Sequence, residues 1–270
     1  MKPRITLLVM TLATFTAQAQ MPILATDINQ NQRIINLGYS DISLTQDFDD
    51  GRDSEIIDSN IDAKSIEVIL SGPSHNKTIP ILSVGVSKLS PDNGEPAINS
   101  YDIYAGFALE SESKKNLILF NYETSSESTI QDSLGLMAVF RSTASAHSRS
   151  EYELVTSFAL KEGIEDVSGG HEAGIRLNSK LPLSNQAHLV SAVGLSVESD
   201  TDYSNGAYRS AGPALSANIG LSIQPQPNIE VEVGLGSYRQ NYEYYQSNGR
   251  YVLSEARTGI GFMVDLNIAL

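Results

Sequence analysis

Cysteine and tryptophan are both absent from the 270 residues. Without cysteine there is no disulfide, no thiolate nucleophile, no Cys-based metal site and no lipid-modified N-terminal Cys. Stability therefore has to come from hydrogen bonding and packing. Basic residues are scarce: 18 Lys and Arg stand against 32 Asp and Glu, a formal net charge of −14. A surface of that sign repels phosphate backbones, which excludes a nucleic-acid partner. Beyond the N-terminus no apolar run approaches the ~20 residues that a spanning helix needs. Any later membrane insertion must then use strands closed into a barrel, the other arrangement that satisfies every backbone group in lipid. No G-x-S-x-G elbow, Walker loop or metal-ligand spacing occurs, so neither a cofactor nor a metal is expected.

The N-terminus carries Lys2 and Arg4, then the 11-residue apolar stretch Ile5–Phe15, then small residues in Ala17-Gln18-Ala19. That is the layout of a secretory signal peptide, residues 1–19, cut after Ala19. Residues 20–32 are expected to form a periplasmic N-terminal segment, and residues 33–270 a single β domain.

The last segment is the plainest strand. From Ile260 to Leu270 every second residue is large and apolar, with Gly261, Met263, Asp265, Asn267 and Ala269 between. Period two over this length gives a strand one greasy face and one small or polar face, whereas a helix would scatter the apolar residues around its circumference. The same alternation recurs at Ile229–Leu235, Leu215–Ile223, Leu189–Val197, Ile175–Leu177, Tyr152–Leu160 and Tyr101–Leu109. It is fainter at Leu134–Phe140, Ile118–Tyr122, Ile79–Val86, Ile66–Leu70 and Ile35–Tyr39. The total is twelve strands, an even number as a bacterial barrel requires. Pro80 demands an edge position or a bulge.

The connections alternate in length. Those after even strands are short: Gly72–Lys77, Ser111–Lys115, Thr143–Arg149, Pro182–Gln186 and Gln224–Asn228. Those after odd strands are mostly longer and more acidic: Asp47–Asp62, Leu89–Asn99, Glu123–Thr129, Lys161–Gly170, Glu198–Ala207 and Asn241–Tyr251. Short turns on one side and long loops on the other suit a barrel that crosses a membrane. A soluble sandwich has no reason for that sidedness. Glycines on the non-apolar face, such as Gly38, Gly106 and Gly220, fit a curved wall as well.

Across its mature length the chain resembles Gram-negative outer-membrane β-barrel proteins. The cleavage motif, the Ile260–Leu270 terminal strand and the alternating connections carry the resemblance. It implies an all-β fold, a closed antiparallel up-and-down transmembrane β-barrel of about 12 strands, inserted by the barrel-assembly machinery. Its partners would be outer-membrane lipid and lipopolysaccharide, with a small solute or surface ligand. The chain departs from the pattern by ending in Leu270 rather than an aromatic residue. With no Trp, the interface girdles must be built from Tyr39, Tyr101, Tyr122, Tyr152, Phe158, Tyr238 and the Tyr242/Tyr244/Tyr245 cluster.

Strand parity puts Glu67, Asp102, Glu110, Glu151, Glu153, Glu230, Glu232 and Asp265 inside, with Arg176, Lys180 and Arg257. Two readings stand side by side. One is a narrow aqueous path whose excess of acids favours cations. The other is an interior plugged by side chains that pair with one another, which would make the barrel an envelope structural protein. A second function class is a surface binding or adhesion module using the acidic loops and the Tyr242–Tyr251 tip. The acidic stretch Asp47–Asp53 fails as an EF-hand, since Gln46 and Phe48 stand at ligand positions and Ile57 replaces the closing Glu. The third class is a rim lipid hydrolase. His171 and Ser199 would face lipid almost opposite one another, with Glu198 or Asp200 as orienters.

Overall fold

A computed structural model describes residues 33–49, 59–73, 75–92, 96–110, 115–126, 132–145, 148–159 and 167–270. The signal peptide and the 20–32 segment lie outside these, as does most of the first long loop. The strands are β1 (Ile34–Asp49), β2 (Ser59–Ser71), β3 (Thr78–Pro91), β4 (Ile98–Glu110) and β5 (Lys115–Ser125). They continue with β6 (Ser133–Ser145), β7 (Ser148–Ala159), β8 (Val167–Gly169), β9 (Glu172–Pro182) and β10 (Ala187–Glu198). The last are β11 (Thr201–Tyr203), β12 (Tyr208–Ala211), β13 (Ala214–Gln226), β14 (Ile229–Tyr245) and β15 (Tyr251–Ala269).

Every pairing is antiparallel. Strands β1 to β7 follow one another around the wall, then β9, β10, β13, β14 and β15, which returns to β1. The ring is closed, and it has twelve members, each coinciding with one alternating segment of the sequence. Closure is the physical requirement here, since an open sheet edge in hydrocarbon would leave a row of unpaired amides and carbonyls. Both ends of the barrel chain meet at one rim, where Leu270 N donates to Arg33 O at 2.8 Å.

Alternate residues point outward and form an apolar band, Ile66, Val68 and Leu70 on β2 and Leu215, Ile219 and Leu221 on β13 among them. Ile260, on the longest strand, is 70% exposed. Such a face has no place in water over so wide an area. The band is that of a lipid-facing barrel. Tyr101, Tyr122 and Phe158 are exposed on it, and Tyr39 packs on Phe262 with ring centroids 5.7 Å apart. The side chain of Tyr152 lies outside the described residues.

Three tyrosines expected in the girdle are inside instead: Tyr238, Tyr242 and Tyr244 are buried. They share parity with Glu232, so the outward positions at this height are Ser237, Arg239, Asn241 and Glu243. The apolar outward run of β14 stops at Leu235. Since a tilted strand crosses with about 9–11 residues, the rest of β14 and β15 stands above the membrane. The long connection Asn241–Tyr251 is accordingly mostly strand, reduced to a turn between Tyr245 and Tyr251.

Pro80 lies in neither an edge strand nor a bulge. Its carbonyl accepts from Gly72 N at 3.0 Å, and its nitrogen, on the same side, falls past the last β2–β3 pair at Ser71–Ile81. The missing N–H is at a place where the ladder has already ended.

Candidate functional site

Among the described residues the interior is occupied by closely packed side chains. Most inward residues, polar and apolar alike, are nearly inaccessible. Two apolar clusters occupy part of it. One, toward the short-turn rim, gathers Ile34, Ile69, Ile79, Ile81, Tyr104, Leu117, Leu119 and Val139. The other, toward the long-loop rim, gathers Ile42, Leu44, Ile61, Leu89, Ile98, Ala214 and Tyr238. These inward apolar residues explain why alternation is faint in the N-terminal third: a strand greasy on both faces loses its period.

Between the clusters runs a polar stripe. Following the hydrogen-bonded pairs around the wall, Glu232 stands opposite Asp265, then Gly38, Glu67, Gly85, Asp102 and Glu123, one residue from each of seven neighbouring strands. The row begins at the fourth residue of β14, near its short-turn start, and ends at the third residue from the long-loop end of β5, counting Ser125 as the first. Because barrel strands tilt, a row perpendicular to them climbs the wall. Five buried acids thus form a ramp from one rim toward the other.

The two glycines make the ramp possible. An ideal Cβ at Gly38 would lie 2.7 Å from Asp265 Oδ1, and one at Gly85 would lie 2.3 Å from Asp102 Oδ1. The carboxylates lie over the glycines, in space that any other residue would fill. A hydroxyl row borders the ramp on its long-loop side: Ser40, Ser65, Ser87 and Ser100 are successive cross-strand partners. Ser40 Oγ is 2.5 Å from Ser65 Oγ, and Ser100 Oγ donates to Glu123 Oε1 at 3.0 Å. Below the ramp, Ser83 donates to Glu67, and Asn36 Nδ2 donates to Asn267 Oδ1 at 2.8 Å.

Ion pairing is uneven. At the short-turn end Lys180, buried on β9, reaches across to Glu230 and Glu232 on β14, the latter at 3.2 Å, although β10 and β13 lie between along the wall. Among the described residues no cation pairs with Glu67, Asp102, Asp265 or Glu123, and Asp102 Oδ2 has no hydrogen-bond partner. Arg176 faces inward and is buried. The side chains of Glu110, Glu151 and Glu153 lie outside the described residues. Sequence parity placed the other eight inward charges; it missed Glu123, Glu172, Glu198, Arg209 and Glu255, which it had left in loops or unassigned. Their signal was available: Glu123 continues the parity of Leu117 and Leu119, and Glu255 that of Arg257.

Above the band Glu198, Arg209 and Glu255 form a stopper with Arg257 and Tyr242. Three adjacent wall strands are interrupted at one height, between Gly169 and Glu172, Glu198 and Thr201, and Ala211 and Ala214. Beyond the breaks β8, β11 and β12 continue the wall against β14. From them Arg209 points inward and pairs with Glu198, while its Nη2 also donates to Thr201 Oγ1 at 3.0 Å. Arg257 pairs with Glu255, which accepts from Gln46 at 2.9 Å and from Tyr244 at 2.6 Å. Both guanidiniums lie against the Tyr242 ring, at 4.7 Å for Arg209 and 4.3 Å for Arg257. Burial opposes the charge on Arg209 and Arg257, but Glu198 and Glu255 respectively hold each pKa above its ordinary value. Burial also pushes the Tyr242 and Tyr244 phenols up.

His171 and Ser199 do come together, through the backbone. The His171 amide donates to Ser199 Oγ at 3.0 Å and Ser199 N donates to His171 O at 2.8 Å. The imidazole itself packs on Phe158, with centroids 5.9 Å apart. General-base activation would need a ring nitrogen on the hydroxyl, and in this arrangement the hydroxyl is engaged by the main chain.

No family model matches the chain, and no curated protein matches it in sequence. Its likeness is to solved structures. An outer membrane channel from Pseudomonas putida F1 superimposes with a TM-score of 0.63 at 7% identity, over 92% of this chain and 99% of that one. A deltaS2 mutant of the TodX monoaromatic hydrocarbon channel gives 0.50 at 9% identity, over 90% and 91%. At such identities the shared property is the fold. This chain has the fold of an outer-membrane β-barrel, and its exposed apolar band is that of a wall facing lipid.

Proposed function

We propose that this barrel is a narrow, cation-preferring channel whose interior is closed in the conformation described. The acidic ramp carries the reading. Keeping an ion in a dry interior costs on the order of several kcal/mol per charge, and unpaired carboxylates in one row also repel one another. A barrel that needed only to fill itself would use Ser, Asn or apolar groups, as it does on either side of the ramp. Four acids without cationic partners among the described residues instead suit a path that mobile cations and water enter when the stopper and the Lys180 bridge give way.

The test is the reversal potential under a salt gradient in planar bilayers. The wild-type protein should conduct with the sign of cation flow. Glu67→Gln/Asp102→Asn/Asp265→Asn should move the potential most of the way to zero while the folded protein still shows a heat-dependent gel shift. Folded wild-type protein that never conducts, or a variant with an unchanged potential, would sink the proposal.

A second reading, binding at the cell surface, is favoured by the exterior of the β12–β14–β15 extension. There Tyr208 stacks on Tyr245 at 4.7 Å, and Tyr245 meets Tyr251 edge-on at 6.0 Å. Tyr245→Ala/Tyr251→Ala should abolish adhesion of expressing cells and leave conductance intact. Adhesion that persists would remove this reading.

A further inference from the structure

On the lipid side of β1 to β4, Tyr39, Ile66, Val86 and Tyr101 lie side by side in one row of cross-strand partners. Below them both β2 and β3 present only apolar residues to the outside, down to Leu70 and Leu82. The next row toward the long loops reads Asp41, Lys64, Lys88 and Asn99. Lys64 and Lys88 are therefore directly opposed on the outer surface, one step above the tyrosine level. Both are exposed, the Lys64 side chain by 56%.

Two like charges directly opposite on one sheet face repel. The chain has few cations to spend, and it sets two of them face to face at the boundary between lipid and water. Asp41 relieves the repulsion only in part: its Oδ2 lies 3.4 Å from Lys64 Nζ and accepts from Tyr39 OH at 3.2 Å. Among the described residues Lys88 is paired with no carboxylate. Tyrosine rings mark the interface level of a membrane barrel, so the ammonium groups stand at the height of the lipid headgroups. The Cβ atoms of directly opposed residues are about 5 Å apart. Two flexible lysine stems from such positions converge readily on one phosphate, which lysine holds as a point charge.

We propose that Lys64 and Lys88 are a clasp for a phosphate of the glycolipid headgroups in the outer leaflet. Asp41 and Tyr39 hold the Lys64 side of the clasp, and Tyr101 beneath it lies along the lipid's upper acyl region. The bound anion removes the lysine–lysine repulsion. The inference rests on the barrel's membrane placement and not on conduction, so it stands or falls independently of any channel measurement.

The test uses the folded full-length barrel in detergent, confirmed by its gel shift, with lipid A titrated in native mass spectrometry. Wild-type protein should retain phosphorylated lipid A. Lys64→Gln/Lys88→Gln should weaken this by about tenfold or more, and Lys77→Gln, in a turn at the other rim, should leave it unchanged. Phosphate-free lipid A should bind wild-type and double variant equally weakly, and inorganic phosphate should not compete at comparable concentration. Equal retention of phosphorylated lipid A by wild type and double variant would overturn the proposal. So would equal wild-type retention of phosphate-free lipid A, which would mean apolar docking alone. Competition by inorganic phosphate at lipid-like concentrations would overturn it too, assigning the pair to a free anion.

Discussion

Arg209 and Glu198, on strands that are not neighbours in the sheet, form an ion pair inside the mouth of the barrel, where Arg209 is 2% exposed. The pair ties the short strands above the wall breaks to the top of β10. It works as a latch because the same guanidinium also lies on the Tyr242 ring, which Arg257 shares.

Removing one partner of a buried pair leaves the other charge stranded, at about 3–5 kcal/mol. Arg209→Ala should therefore lower the midpoint of the heat-induced gel shift more than Arg209→Met/Glu198→Leu does. It should also expose what lies beneath. The chain has no cysteine, so Ala214→Cys, at a buried position of the outer apolar cluster, gives a single thiol. A hydrophilic maleimide should label it faster in the Arg209→Ala background. Equal labelling rates would mean that the stopper stays shut without the latch.

Lys180 neutralises the lower end of the ramp. In Lys180→Gln the charges of Glu230 and Glu232 are released, and the reversal potential should move further toward the cation limit. A shift toward zero would place Lys180 outside the conducting path.

Gly85 and Asp102 share one space. A methyl group at Gly85 meets the Asp102 carboxylate, so Gly85→Ala should cost about 1–3 kcal/mol of stability and reduce cation preference as Asp102→Asn does. Adding Asp102→Ala to Gly85→Ala should restore part of the stability, a non-additivity expected of residues in contact. Strict additivity in thermal midpoints would contradict the packing described.

Alkaline pH should act on the stopper late. Burial raises the Tyr242 pKa above its ordinary 10.0, so the folded protein holds that proton more tightly than the unfolded chain does. The resulting stability is present in full below pH 10 and is lost as pH rises through the folded value. In ultraviolet difference titration, Tyr242→Phe should remove a step from the high-pH end of the tyrosine curve. Tyr245, on the outside, is pushed up to about 12 by its hydrogen bond to Glu243, so Glu243→Gln should bring one transition down. Loss of a step near the ordinary value in Tyr242→Phe would mean that the ring is not buried in solution.

Strand number, parity and the alternation of turns and loops were legible in the residues, because a half-buried strand writes its two faces in period two. Ile260–Leu270 could be read without any partner in view. Eight inward charges followed from the same parity. Loop against strand was less legible above the membrane: Asn241–Tyr251 has no apolar outward face there, so the pattern that reveals a lipid-facing strand is silent, and β14 and β15 run on through it.

The amino-acid sequence by itself determined the strands, their two faces and the sidedness of their connections, because period two and connection length are local properties of the chain. Tertiary structure decided which inward residues meet. Glu232, Asp265, Glu67, Asp102 and Glu123 are scattered over some two hundred positions, and only the register of seven strands lines them up. Register depends on pairing between distant segments, which period two alone does not specify. The same holds for Lys64 against Lys88 on the outer surface and for Lys180 across the interior.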